Sequence, residues 1–185
     1  MNPTVVQLNF LLALGTVAMQ VAILCLLGSL VYERIAKRRT AALNRVAAWG
    51  MSLVAALAVF GTAFTLLYSE VFGFVPCSLC WFQRIFLYPQ AIVAPLALFM
   101  KDTRYTPAYL IALSSFGSLF ALYQHYLQMS GSPLPCPAGG GDCGQRIVFE
   151  FGYITFPLMA WSLFVLIIVI MSIVLMRRAA DRAAI

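Results

Sequence analysis

Charge is what this chain has least of. Only 10% of its 185 residues are charged, six of them acidic, while 63% are hydrophobic. That balance excludes an ordinary soluble domain, in which about a quarter of the residues carry charge. Also missing is any basic residue ahead of the first apolar run; a basic cluster follows it instead, the reverse of a cleavable signal peptide. The run is therefore expected to remain as a helix. There is no internal repeat, and no low-complexity tract beyond Gly139 to Gly141.

What the chain does have is length without charge, in the runs 1–32, 46–69, 85–100, 105–127 and 151–176. A helix crosses the roughly 30 Å hydrocarbon core in about 20 residues. Four runs suffice directly, and the third does once its first turn is taken back to Cys80. The expected fold is an all-α integral membrane protein with five transmembrane helices, leaving almost nothing for a soluble domain. The net charge of +6 does not indicate nucleic acid, because of where it lies. Arg34, Lys37, Arg38, Arg39, Arg45, Lys101, Arg104, Arg177, Arg178 and Arg182, ten of the twelve basic residues, fall on one side if the five spans alternate. This positive-inside pattern predicts an external N-terminus, external segments around Cys77 and residues 128–150, and a cytoplasmic C-terminus.

Within that frame the stretch Pro76-Cys77-Ser78-Leu79-Cys80-Trp81-Phe82-Gln83-Arg84 stands out. Cys77 and Cys80 are spaced to close a small disulfide ring or share a metal. On a helix starting near Cys80, Arg84 lies one turn further along the same face. A redox-capable sulfur and a fixed cation then face one spot, which suits an electron acceptor. An arginine there could simply snorkel to the interface, but it runs against the topology bias, and an intramembrane charge is a functional candidate. His125 ends the fourth span at the same predicted depth, so it is expected to converge with Arg84 and Cys80. Tyr88 and Trp81 read as packing or interface aromatics, and Glu70, Asp142, Arg146 and Glu150 as solvated loop charges.

Four of the five cysteines, Cys77, Cys80, Cys136 and Cys143, fall on the predicted outer side, where disulfides persist. Local pairing is simplest, though four cysteines permit three connectivities. The two couples would enclose only two and six residues, so as staples they would contribute little loop entropy. Short, strained, exposed disulfides are the exchangeable kind. Cys136 and Cys143 ride a proline- and glycine-rich loop that a soluble protein could reach, whereas Cys77 and Cys80 sit where a lipid-soluble molecule could. A zinc site is the rival reading, weakened by the neighbouring arginine and the wide spacing of the second couple. Cys25, with no cysteine in helical reach, reads as a small buried hydrophobe. In the same first span Gly15, Gly28 and Ser29 could admit another helix, with lipid-facing packing the simpler reading.

The Pro76 to Arg84 motif, Tyr88-Pro89, Asp102-Thr103-Arg104, His125, the Cys136/Cys143 loop and Ile154-Thr155-Phe156-Pro157, taken in order, resemble the DsbB family of quinone-reducing membrane disulfide oxidoreductases. The short loop is most similar to the BdbC-type branch. The resemblance, which spans about residues 46–176, implies a four-helix bundle over 46–185 carrying both external cysteine segments. Residues 1–45 would be an additional N-terminal helix with a basic cytoplasmic loop. It also implies that Cys136 and Cys143 oxidise a DsbA-like thioredoxin-fold thiol oxidase, with Cys136 in the mixed disulfide. Cys143 would then pass electrons to Cys77, with Cys80 facing a quinone, ubiquinone or menaquinone, near Arg84 and His125. The implied location is the bacterial cytoplasmic membrane. A reductase running in the opposite direction, or a non-enzymatic metal-binding or structural membrane protein, are the alternatives.

Overall fold

The computed structural model describes residues 3–101, 103–131 and 142–183, so Asp102 of the predicted turn and Cys136 of the predicted loop lie outside the described residues. Five helices run in order: α1 (Pro3–Ala36), α2 (Ala41–Leu66), α3 (Ser78–Phe99), α4 (Thr106–Ser130) and α5 (Phe156–Ala183). A π-helical turn, Leu67–Val71, continues α2. All five helices are long and apolar enough to cross a membrane, as expected, and the protein is a multi-pass membrane protein.

The helix ends follow local chemistry. Proline cannot continue a preceding helix, and after Pro76 the Cys77 sulfur caps α3 by accepting the Cys80 N–H at 3.3 Å. Cys77 therefore starts α3 at Ser78, slightly before the expected position. Pro107 stands in the first turn of α4, and Gly131 ends that helix with φ of +61°, a conformation that favours glycine.

The centre of the bundle is α5, where Phe164, Ile167, Ile170, Met171, Ile173 and Val174 are almost fully enclosed. It packs against α4, α2 and α1, and α3 fills the space between α2 and α4. Close approach to α4 depends on Gly117, where an added Cβ would stand 2.5 Å from the Phe164 ring. By contrast α1 is peripheral, lying mainly against α5. Its buried residues, Val5, Asn9, Ala13, Thr16 and Ile23, make one stripe at helical spacing. Gly15 and Gly28 meet nothing within 4 Å, in keeping with lipid-facing packing. Cys25 corrects the expectation of a buried hydrophobe: it falls off the stripe and is exposed.

At the basic end, charges that read only as topology determinants also clamp helices together. Glu33 of α1 accepts hydrogen bonds from the backbone and hydroxyl of Thr40, the latter at 2.7 Å, and from Arg177 of α5 at 2.7 Å. Arg178 donates to the carbonyl of Thr103 at 2.6 Å and its hydroxyl at 2.9 Å, tying the α3–α4 connection to α5. The exposed Arg39–Asp181 pair at 3.1 Å adds little.

Candidate functional site

At the other end of the bundle, the start of α3 gathers the chemistry. Cys77 and Cys80 are unbonded, with sulfurs 2.7 Å apart against about 2.05 Å in a disulfide. Gln124 of α4 donates its Nε2 to both sulfurs, at 3.1 Å to Cys77 and 3.4 Å to Cys80. Its orientation is fixed by Gln83 Nε2, which donates to Gln124 Oε1 at 2.6 Å. One aligned amide thus offers a hydrogen bond to whichever sulfur carries charge during exchange. The Cys80 sulfur hydrogen-bonded to it, together with burial, pushes the Cys77 thiol above the ordinary thiol range, so Cys77 holds its proton.

Arg84, one turn beyond Cys80, is 92% buried. Its Nη2 donates to the Thr65 carbonyl at 2.8 Å, and its guanidinium lies 5.2 Å from the Trp81 ring centre. No carboxylate among the described residues pairs with it. A buried cation without an anion is expensive, and it favours a ligand bearing negative or partly negative oxygen. Thr65 sits just before the π-helical turn of α2, a distortion that often marks functional sites. Its hydroxyl meets the Tyr88 hydroxyl at 3.0 Å, so Tyr88 braces the acceptor that holds Arg84.

Thr65, Cys77, Cys80, Gln83, Arg84 and Gln124 border one cavity. Cys77, Cys80, Gln83, Arg84 and Gln124 form its polar side, and Tyr68, Leu87, Phe156, Ala160 and Phe164 its apolar side. His125 is not among the lining residues; its Nδ1 meets the Thr155 hydroxyl at 2.9 Å. Gln124, its neighbour in sequence, faces the sulfurs instead.

Cys143 differs in its burial from the reachable loop cysteine expected. It is disulfide-bonded, only 1% exposed, and shares one buried cluster with Cys77, Leu79 and Leu127. The cause lies at the end of α4. Gln128 Nε2 donates to the Gln145 carbonyl at 2.9 Å, and Arg146 Nε donates to the Gln128 carbonyl at 2.7 Å. These bonds hold the segment after Cys143 against the bundle, and Asp142 further ties it by accepting the Gly144 N–H at 2.9 Å. Arg146 and Asp142 are exposed, as the sequence reads, and each also has a hydrogen-bond partner.

The residues that sequence reasoning overlooked are Thr65, Tyr68, Gln83, Gln124 and Gln128. All are polar or amphipathic side chains within or beside apolar runs, where a polar group needs a partner. That rule applied to every such position would have flagged them.

Comparison with known proteins identifies the family. The model of the family described as "Disulfide bond formation protein DsbB" matches residues 44–176. The SPbeta prophage-derived disulfide bond formation protein B of Bacillus subtilis (strain 168) is 42% identical over 112 residues, covering 60% of this chain and 75% of the relative. Disulfide bond formation protein C of the same organism is 35% identical over 131 residues, covering 69% of this chain and 88% of the relative. No solved structure matches. With its paired sulfurs and five membrane helices, the chain belongs to the DsbB family of disulfide bond formation proteins, membrane disulfide oxidoreductases.

Proposed function

We propose that this protein re-oxidises a DsbA-like thioredoxin-fold thiol oxidase and delivers the electrons to a membrane quinone, ubiquinone or menaquinone. The observation that carries the reading is that Cys143 is buried in one cluster with Cys77, while Cys80 of the same couple borders the cavity that holds Arg84. One route then leads from the loop disulfide through the inner couple to a site open to lipid-soluble molecules.

The exchange steps balance. A partner thiolate attacks Cys136, breaking a Cys136–Cys143 bond and releasing the Cys143 thiolate; the partner's second thiol resolves the mixed disulfide. Cys143 next attacks Cys77 of an oxidised Cys77–Cys80 couple and displaces the Cys80 thiolate. Cys136 then attacks Cys143, restoring the loop disulfide and leaving Cys77 as a thiol, the form its environment favours. The reduced couple must finally lose two electrons and two protons to close again.

The cavity suits a quinone: Arg84 carries hydrogen-bond donors for a carbonyl oxygen, and Leu87, Phe156 and Phe164 supply apolar wall. When bound, a quinone would supply the two-electron sink. Gln124 would steady the sulfurs during exchange, and Arg84 would orient the acceptor. His125 we assign to fastening α4 to Thr155 behind the wall. The thermodynamics require a strong sink. DsbA-like partners stand near −120 mV, and feeding them from a disulfide at about −300 mV would be uphill by about 8 kcal/mol.

We further infer that residues 46–185 form the working bundle in a bacterial cytoplasmic membrane. The cysteine end would face outward with the N-terminus, and the C-terminus would be cytoplasmic, following the basic residues. The test is anaerobic quinone absorbance after a reduced thioredoxin-fold thiol oxidase is added to the purified chain in detergent. Catalytic quinone loss matched by partner disulfide formation is expected. Folded protein that turns over no quinone with any partner would refute the reading.

A further inference from the structure

The matched family region begins at residue 44, so α1 lies outside it. Its apolar surface mostly faces away from the bundle, and Phe10, Leu11, Val21, Leu24, Val31 and Ile35 are exposed. Two of its uncharged polar residues form side-chain hydrogen bonds to the bundle. Gln20 accepts from the Tyr153 hydroxyl at 3.0 Å and donates to Ser162 at 3.3 Å, which ties α1 to α5 and the segment before it. Asn9 is different, because it reaches a residue of the cavity. It is 98% buried, and its Oδ1 accepts the hydrogen bond of the Tyr68 hydroxyl.

Tyr68 belongs to the π-helical turn, is 4% exposed and borders the same cavity as Cys77, Cys80 and Arg84. Its ring is packed edge-on against Phe72 and Phe156, with centroids 5.4 and 4.6 Å apart. With its hydroxyl engaged by α1, the phenol is held by that end while its ring forms wall. Deprived of Asn9, a buried hydroxyl would have to find another partner or remain unpaired, at a substantial cost. Among the polar groups it could turn to are those of the cavity.

We infer that the additional helix is part of the quinone site: Asn9 is a positioning residue that holds Tyr68 as an apolar wall of the cavity. This rests on the quinone-reducing reading above. It gives the first helix a task beyond anchoring, since the contact it supplies lands on the ligand space and not only on α5.

The test compares Asn9→Leu, Tyr68→Phe and, as control, Gln20→Leu in the full-length protein. The control breaks α1's bonds to Tyr153 and Ser162 but leaves Tyr68 held. Quinone KM, kcat and quinone-free single-turnover oxidation of the reduced partner are measured for each. Asn9→Leu is expected to raise the quinone KM about tenfold, and Tyr68→Phe about threefold because the ring stays but its tether is lost. Partner oxidation should be unchanged in both, and the quinone KM unchanged in Gln20→Leu. If Asn9→Leu does not fold, Tyr68→Phe decides. A quinone KM within about twofold of wild type in every folded variant lacking the bond would overturn the inference, as would an equal rise in Gln20→Leu. Wild-type protein with no quinone turnover would sink the underlying reading instead, so the two failures are distinct.

Discussion

Replacing Arg84 by alanine removes a buried cation that has no carboxylate partner among the described residues. If it exists for a ligand's oxygen, the loss should appear as a quinone KM raised about tenfold to a hundredfold, the range of a hydrogen bond to a charged group. Partner oxidation in a single turnover should be spared. Unchanged quinone dependence in Arg84→Ala would remove Arg84 from the site. Gln124→Leu tests the amide between the sulfurs in the opposite way. It should slow exchange between the two couples about tenfold, since a charge-assisted hydrogen bond is lost as a sulfur ionises, with quinone KM little changed. Stopped-flow oxidation of the inner couple reads that rate.

Cys77 gives a pH prediction. Its thiol is pushed up by the neighbouring Cys80 sulfur and by burial, so the protonated form persists to higher pH than in a free cysteine. In the reduced protein, alkylation of Cys77 should therefore reach half its maximal rate above about pH 8.5, the ordinary thiol value. Mass spectrometry of the labelled peptides against pH would show it, and an ordinary thiol profile at Cys77 would contradict it. At this scale the sequence was legible in part. Cys77, Cys80 and Arg84 could be placed together because a helix start and a four-residue step determine a face. Gln124 could not be distinguished from His125: adjacent helical residues share a depth but point about 100° apart, and the facing is set by how α4 rests on α5 and α3.

Among the elements, α5 and its glycine contacts carry the packing. At Gly117 a methyl group would meet the Phe164 ring, which is fully enclosed and borders the cavity. Gly117→Ala should cost about 1–3 kcal/mol as overpacking. A lowered thermal midpoint in detergent is expected, and an unchanged midpoint would show that α4 and α5 are not pressed together there. Four of the five spans were legible from charge-free length alone, and the third once its start was taken back across Arg84 to Cys80. The π-helical turn was not, because Leu67 to Val71 is compositionally ordinary and its widening depends on what α3 and α1 place beside it. Nor was the burial of Cys143 legible, since a glycine-rich loop reads as exposed until Gln128 and Arg146 are seen to fasten it.

For the whole molecule, one end is clamped by charge and the other is built for exchange. Glu33 and Arg177 bind α1 to α5 at the basic end, while the cysteine end brings a loop disulfide against an inner couple beside an apolar cavity. The two couples form one relay only if Cys143 and Cys77 can bond to each other. In Cys80→Ser/Cys136→Ser each of them has lost its local partner, and mild oxidation with diamide, which takes up the two electrons and two protons, can join them directly. Disulfide mapping of that variant by mass spectrometry, after alkylation of free thiols, reads the outcome. A peptide pair linked through Cys77 and Cys143 is expected; both cysteines recovered alkylated, in folded protein, would break the relay.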